Sequence, residues 1–211
     1  MNASPHLAVL GAGHTGPVLA KVLTEAGYPV SVAASGDPER IALILSFLAP
    51  GAKPRWAADA VAEAEAVFLA LPLHRFAELD PAGLTGKIVV DTMNYWPPTD
   101  GVQVAFDDPV RGSSEIVQAA LPGARVVKTL NHIGYHELDD SRRPSGSPGR
   151  RALGVAGDDA GAVATIAAIL DRVGYDTLTL PSLAAGRALQ PGGAVFGADL
   201  TLDRFSQEVS S

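Results

Sequence analysis

Near its start the chain reads Leu7-Ala-Val-Leu-Gly-Ala-Gly-His-Thr-Gly16, an apolar run followed by three glycines spaced Gly-x-Gly-x-x-Gly. That order suits a strand entering a phosphate-cradling turn that opens a helix at His14. Gly11 is placed for the sharp turn, Gly13 for close approach of the backbone to a pyrophosphate, and Gly16 for close packing of the helix on the sheet. The helix then points unpaired N–H groups and the positive end of its dipole at one spot, where a doubly anionic ligand is stabilised.

Glycine-rich turns also arise for steric reasons alone, so the context decides. Val18, Leu19, Val22, Leu23 and Ala26 form one apolar helical stripe, with Lys21, Thr24 and Glu25 opposite. Gly27 ends that helix before a second apolar run at Val30 to Ala34, which completes a strand-helix-strand unit. At the end of the second strand an NAD site usually carries an acidic residue, whereas an NADP site leaves the place small or basic. Here it is Ser35-Gly36, with Asp37 read as a helix cap before Pro38. Arg40 falls on the first turn of that helix, either within reach of a 2′-phosphate or simply solvated.

In a doubly wound sheet the carboxyl ends of the strands line the ligand crevice, so Leu71, Pro72 and Leu73 are expected to touch the cofactor. His74 reads as solvent-facing. After Asp91, Tyr95 and Trp96 either wall a planar ring or belong to ordinary loop packing. Asn131 and His132 are candidates to orient a carboxamide or ring carbonyl, the alternative for Asn131 being to satisfy backbone groups. His132, His136 and Glu137 do not make a metal motif, because Ile133-Gly134-Tyr135 weakens the helix it would need and the order is not HExxH. Without cysteine, a GxSxG elbow or a Walker lysine, the chain offers no obvious nucleophile, and no side chain is singled out as catalytic.

The chain has 211 residues, is 47% hydrophobic and contains no apolar run long enough to span a bilayer. The first residues show no secretory signal, so a cytoplasmic location is expected. A net charge of −7 argues against nucleic-acid binding. Strand-like runs at Leu7 to Leu10, Val30 to Ala34, Val67 to Leu71, Ile88 to Val90, Val126 to Val127, Leu153 to Ala156 and Thr177 to Leu180 alternate with helical patterns. The class is therefore α/β, a doubly wound, mostly parallel sheet with a small C-terminal extension. Ile41, Ile44, Leu45 and Leu48 are expected to bury one helix face, and Ser113 to precede another helix. The polar stretch from Asp139 to Arg151 reads as a mobile surface loop. After Pro181 the chain is rich in Gly and Ala, with Gln190-Pro191-Gly192-Gly193 interrupting a closing helix. Division at residues 1–180 and 181–211 follows. The broken C-terminal stretch covers itself poorly, which points to a homodimer.

The glycine turn, Ser35, Leu71-Pro72, Lys87-Ile-Val-Val-Asp91, Gly112-Ser-Ser-Glu-Ile116 and Arg125-Val-Val-Lys-Thr-Leu-Asn131 occur in the order found in the NADPH-dependent F420 reductases. From about Leu7 to Leu180 the chain resembles that family of F420:NADP oxidoreductases, whose membrane ferric-reductase relatives share the same module. The resemblance implies a Rossmann domain, often dimeric, that moves a hydride between NADP(H) and the deazaflavin coenzyme F420. Positions matching the family's nucleotide contacts are Ala12, Gly13, His14 and Thr15 in the turn, Ser35, Arg40, and Leu71 to Leu73. Asn131, His132, Ile133 and on to Tyr135 match the stretch between the two rings. The family commonly has arginine where this chain has Gly36, and its apolar C-terminal helices correspond poorly to Gly186 to Gly197. Two other readings stay open, an NADP-dependent reductase of a flavin, ferric chelate or imine, and a non-catalytic dinucleotide-binding module.

Overall fold

A computed structural model describes residues 4–210. Eight strands form one sheet: β1 (Leu7–Leu10), β2 (Val30–Ala33), β3 (Lys53–Pro54), β4 (Ala66–Leu69), β5 (Ile88–Asp91), β6 (Arg125–Lys128), β7 (Ala152–Gly157) and β8 (Asp176–Leu180). Their spatial order is β3-β2-β1-β4-β5-β6-β7-β8. Strands β1 to β6 run parallel, β7 is antiparallel to β6, and β8 is parallel to β7. The expected doubly wound α/β class is the observed one.

The helices are α1 (Thr15–Glu25), α2 (Glu39–Leu48), α3 (Ala57–Glu63), α4 (Pro81–Leu84), α5 (Pro97–Asp100), α6 (Ser113–Ala120), α7 (Glu137–Asp140), α8 (Ala160–Val173) and α9 (Leu202–Ser210). Successive strand residues point to opposite faces, and the two cores follow that alternation. Leu7 and Val9 pack with α1, α2 and α8, whereas Ala8 and Leu10 pack with α3, α4 and α6. Among the described residues no helix is long and apolar enough to cross a membrane.

Several local expectations change. The fourth strand ends at Leu69 rather than Leu71, because the chain turns away just beyond the Ala70 N–H bond to the Leu10 carbonyl, 2.8 Å. On α2 only Ile41 and Leu45 are buried; Ile44 and Leu48 are exposed beside Leu43 and Phe47, since no element covers that side. Gly112, not Ser113, stands at the start of α6, and its N–H is held by Glu115 Oε2 at 2.6 Å.

The stretch from Asp139 to Arg151 is pinned rather than free. Asp139 is bound by Lys21 and Arg142, and Arg142 also reaches Glu25 on α1 at 2.5 Å. The buried Arg150 guanidinium donates to Asp171 Oδ1 at 2.6 Å, Asp176 Oδ1 at 2.7 Å and the Arg143 carbonyl at 3.0 Å. Arg151, also buried, reaches Glu137 and the Ala198 carbonyl.

The C-terminal stretch packs on β7 by complementarity of size. Leu153 and Val155 face the α8 side, and the small residues Ala152, Gly154 and Ala156 face the other. A Cβ at Gly154 would lie 2.5 Å from Leu189 Cδ2 and 3.1 Å from Phe205 Cζ. Leu189, Val195 and Phe205 are fully buried there, so the chain after residue 180 covers its own apolar groups, and its closing helix is α9. Among the described residues, α2 exposes a group of four large hydrophobic side chains, Leu43, Ile44, Phe47 and Leu48.

Arg150→Ala strands the Arg143 and Asp171 carbonyls and the Asp171 and Asp176 carboxylates, which now share one cation. We expect a loss of about 2–4 kcal/mol of stability in denaturant titration, with faster proteolysis between residues 142 and 151. A change within about 0.5 kcal/mol would show that the ion pairs are incidental.

Candidate functional site

The three glycines of the first turn differ in what demands them. Gly11 has φ +123°, and a Cβ there would meet the Ala70 carbonyl oxygen at 2.0 Å. A Cβ at Gly16 would meet the Gly11 carbonyl oxygen at 1.9 Å. At Gly13 a Cβ would meet nothing within 4 Å, and the residue has no left-handed φ. Chain geometry therefore requires Gly11 and Gly16, while Gly13 faces open space at the N-terminus of α1. A glycine required by no protein atom, placed where N–H groups converge, fits close approach of a phosphate group.

Three adjoining cavities follow the carboxyl ends of the parallel strands. The first, about 250 Å³, is lined by Gly11, Ala34, Ser35, Gly36, Leu71 and Arg75 among others. Gly36 has φ +92°, a conformation disfavouring the arginine common at this place in the resembling family, and a Cβ there would lie 3.7 Å from Arg40 Nη1. Arg40 therefore brings its cation back over the Ser35-Gly36 turn from α2. Pro38, expected at the first helical position, stands at the N-cap of α2, and Asp37 just before it accepts from the Glu39 N–H at 2.9 Å.

Leu71 also lines the second cavity, about 410 Å³, with Gly13, His14, Thr15, Pro72, Leu73 and the Thr92 to Asn94 segment. A third, about 460 Å³, adds Trp96, Leu130, Asn131, His132, Ile133 and Phe196. Thr15, Thr92, Asn94 and Tyr135 line both of these and so mark the junction between them. The His14 and Tyr135 rings stack there with centroids 5.4 Å apart and planes 18° apart. Trp96 and Phe196 pack directly against each other in the wall of the third cavity, centroids 5.6 Å apart and planes tilted by 57°. Tyr95 lies elsewhere, beside Phe106, its hydroxyl accepting from the Gln103 N–H.

Behind the junction is a chain of hydrogen bonds. The Gly154 N–H donates to His132 Nε2 at 3.1 Å, so that nitrogen is unprotonated and Nδ1 carries the hydrogen, facing Asn131 Oδ1 at 3.4 Å. Asn131 Nδ2 donates to the Leu189 carbonyl at 2.6 Å and to Asn94 Oδ1 at 3.0 Å. Asn94 Nδ2 donates back to the Asn131 carbonyl at 2.7 Å. Burial, with the Lys128 and Arg151 charges nearby, pushes the His132 imidazole down to about 3. The interior placement of this ring, expected to orient a substrate group, commits both nitrogens to protein atoms. Asn131 satisfies backbone and side-chain partners in the same way. Leu130, just before it, has φ +63°, an unusual value for a leucine that turns the chain into this arrangement.

Beneath the Thr92 to Trp96 loop lies a fully buried ion pair, Lys128 Nζ to Asp91 Oδ2 at 3.4 Å. Lys128 also donates to the Met93 carbonyl at 3.1 Å, and Asp91 accepts from the Met93 N–H at 2.9 Å and from Ser114 Oγ at 2.5 Å. Burial pushes the Lys128 ammonium below its usual range, and the Asp91 charge opposes that shift.

The structure thus brings Gly11, Gly13 to Thr15, Ser35, Leu71 to Leu73 and Asn131 to Ile133 to the walls of the three cavities, with Gly16 packed beneath the turn, whereas Ala12 packs on the core and Arg40 lies beside Gly36 without lining any of the three. His74 is exposed, outside the cavities. Sequence reasoning missed the places of Thr92, Asn94 and Phe196 on the cavity walls, while Tyr135 falls within the stretch that it matches to the region between the rings. For Asn94 a signal existed, since it follows a strand end at the crevice.

Residues 6–95 match the family model described as NADP oxidoreductase coenzyme F420-dependent. The chain is similar to a candidate F420-dependent NADP reductase from Arthrobacter sp. FB24, with TM-score 0.76 and 27% identity, covering 94% of this chain and 100% of that one. A hypothetical protein from Sinorhizobium meliloti superposes with TM-score 0.80 at 28% identity, covering 93% and 95%. The curated Metalloreductase STEAP3 of Rattus norvegicus is 28% identical over 189 residues, 89% of this chain and 36% of that protein. The chain thus spans about a third of that relative's length. The family-level resemblance drawn from the motifs holds.

Gly13→Ala should keep stability within about 1 kcal/mol of the parent, a glycine-to-alanine change at a permissive site being mildly stabilising. Dinucleotide affinity should fall about tenfold or more, measured by calorimetry. Gly11→Ala should instead destabilise the fold by about 3 kcal/mol or more. Equal stability losses for the two would remove the distinction.

His132 titrates lower in the folded chain than in the unfolded one, so the unfolded state binds more protons between the two pKa values. Its contribution is intact above about 6.5 and is lost as pH falls, by about 1.4 kcal/mol per pH unit down to about 3. His132→Gln, which still offers an acceptor to Gly154, should flatten the stability profile between pH 4 and 6; an unchanged slope would exclude His132 as its source.

Proposed function

We propose that this chain, whose residues 6–95 match the family model of F420-dependent NADP oxidoreductases, is an oxidoreductase that moves a hydride between NADP(H) and coenzyme F420. The NADP-dependent oxidoreductase class rests on the family match and the 27% identical neighbour spanning nearly the whole fold. The observation that carries the dinucleotide site is Gly13, a glycine that no protein atom requires. The residues around it fit the group. Ser35 and Arg40 would hold a 2′-phosphate, the α1 N-terminus would bind the pyrophosphate, and Leu71 and Pro72 would support a flat ring. Bound NADPH supplies the hydride, and the protein supplies separation, orientation and exclusion of water.

The adjoining cavity, with Trp96 and Phe196 in its wall, suits a planar aromatic acceptor, and F420 is the coenzyme in the family's description. The likeness to a metalloreductase makes a ferric chelate the second reading. Electron balance weighs against direct reduction of iron: a hydride carries two electrons and a ferric ion takes one. A ring able to hold two electrons and release them singly would have to stand between them.

Arg40→Ala should weaken NADP(H) binding about tenfold and leave NAD(H) binding unchanged, because only the former presents a phosphate to the guanidinium. Equal losses for both would place Arg40 outside the discrimination. Ile133→Trp, which fills the acceptor cavity, should cut turnover about a hundredfold with little effect on dinucleotide affinity.

The decisive test mixes NADPH carrying deuterium on its nicotinamide with oxidised F420. Coupled spectral changes and deuterium on the deazaflavin are expected. Absence of transfer at saturating concentrations of both would leave another acceptor, or binding without catalysis, as the function.

A further inference from the structure

We infer that Asn94 is the residue that reads the carboxamide of the nicotinamide ring at the junction of the dinucleotide and acceptor cavities. This rests on the reading of the crevice as an NADP(H) site.

Four residues line both the dinucleotide cavity and the acceptor cavity: Thr15, Thr92, Asn94 and Tyr135. A ring that passes a hydride from one cavity to the other must lie against them. Thr92 has committed its hydroxyl proton to the Leu69 carbonyl at 2.7 Å. Tyr135 spends its ring face on His14. Thr15 begins α1, beside the pyrophosphate turn. Asn94 is the one whose side chain combines an acceptor with a donor pair, the complement of a primary carboxamide.

Its capacity is half used. Oδ1 accepts once, from Asn131 Nδ2, and Nδ2 donates once, to the Asn131 carbonyl. One lone pair and one N–H remain on a half-buried group at the cavity wall. The two bonds also settle which end is oxygen and which nitrogen, because exchanging them would set donor against donor and acceptor against acceptor. Behind Asn131 stand the Leu189 carbonyl and His132, and beneath the loop stands the Lys128–Asp91 pair holding Met93. The amide plane is fixed before any ligand arrives, so ordering it costs little on binding.

The test is a ligand-by-residue cycle read by calorimetry, with no turnover required. The probes are NADP+, its 3-acetylpyridine analogue, which keeps the carbonyl and loses the NH2, and 2′-phospho-ADP-ribose, which lacks the ring. For the parent protein NADP+ should bind about tenfold more tightly than the acetylpyridine analogue, the worth of one hydrogen bond to a preset acceptor. In Asn94→Ala that ratio should fall to about one, with affinity for 2′-phospho-ADP-ribose unchanged. Asn94→Asp, which keeps an acceptor for the NH2, should restore the ratio.

An unchanged ratio in Asn94→Ala overturns the assignment. So does a parallel loss for the ring-less ligand, which would make Asn94 a purely structural residue. If neither NADP+ nor 2′-phospho-ADP-ribose binds the parent protein, the dinucleotide reading itself fails. Asn94→Ser serves the same cycle should Asn94→Ala not fold.

Discussion

One backbone contact governs the layout of the crevice. Strands β1 and β4 remain hydrogen-bonded through the Ala70 N–H and the Leu10 carbonyl, and at the next residue Gly11 lies against the Ala70 carbonyl too closely for any Cβ. The two chains then part, one into the α1 turn and the other through Leu71 and Pro72. Space between diverging chains at adjacent strand ends is where ligands of doubly wound sheets sit. Here the divergence is enforced by main-chain atoms, so it survives variation in nearly every side chain around it.

The far wall is held by buried polarity instead of backbone contact. Lys128 and Asp91 are both fully enclosed, and their remaining hydrogen bonds go to Met93, Ser113 and Ser114. A buried ion pair is weak ground for a claim of net stability, because desolvation offsets much of the attraction. What it does supply is a single geometry for the start of the Thr92 to Trp96 loop. The Asn94–Asn131 exchange and the neutral His132 extend that rigidity to the C-terminal segment.

Local features were the legible ones. The glycine turn, the α1 stripe and the absence of a carboxylate at Ser35-Gly36 are encoded within about thirty residues and translate directly into structure. Features set by distant partners were not. The Lys53–Pro54 strand has two residues and no apolar run. The stretch around Arg150 read as a free loop because Asp171 and Asp176, which hold it, lie more than 20 positions away. Periodicity marked Ile44 and Leu48 as apolar but contained no word on whether anything lies over α2. Asn131 was recognised as important, yet its partner Asn94 is 37 positions earlier, and side-chain pairing at that range leaves no periodic trace.

The C-terminal segment has a consequence for how such a protein can change. No residue after Leu180 lines either of the two cavities assigned to the dinucleotide, whereas Phe196 and Gly197 line the one beside them. The segment is anchored on a strip of small residues, Ala152, Gly154 and Ala156, and by the Gly197 N–H to the His132 carbonyl at 2.9 Å. Under the proposed function, variation around Phe196 and Gly197 would reshape the acceptor side while the two cavities assigned to the dinucleotide stay untouched. Divergence in acceptor preference among proteins of this build is then a matter of redecorating one short, self-anchored patch, a cheap step for evolution and a natural place to begin a redesign.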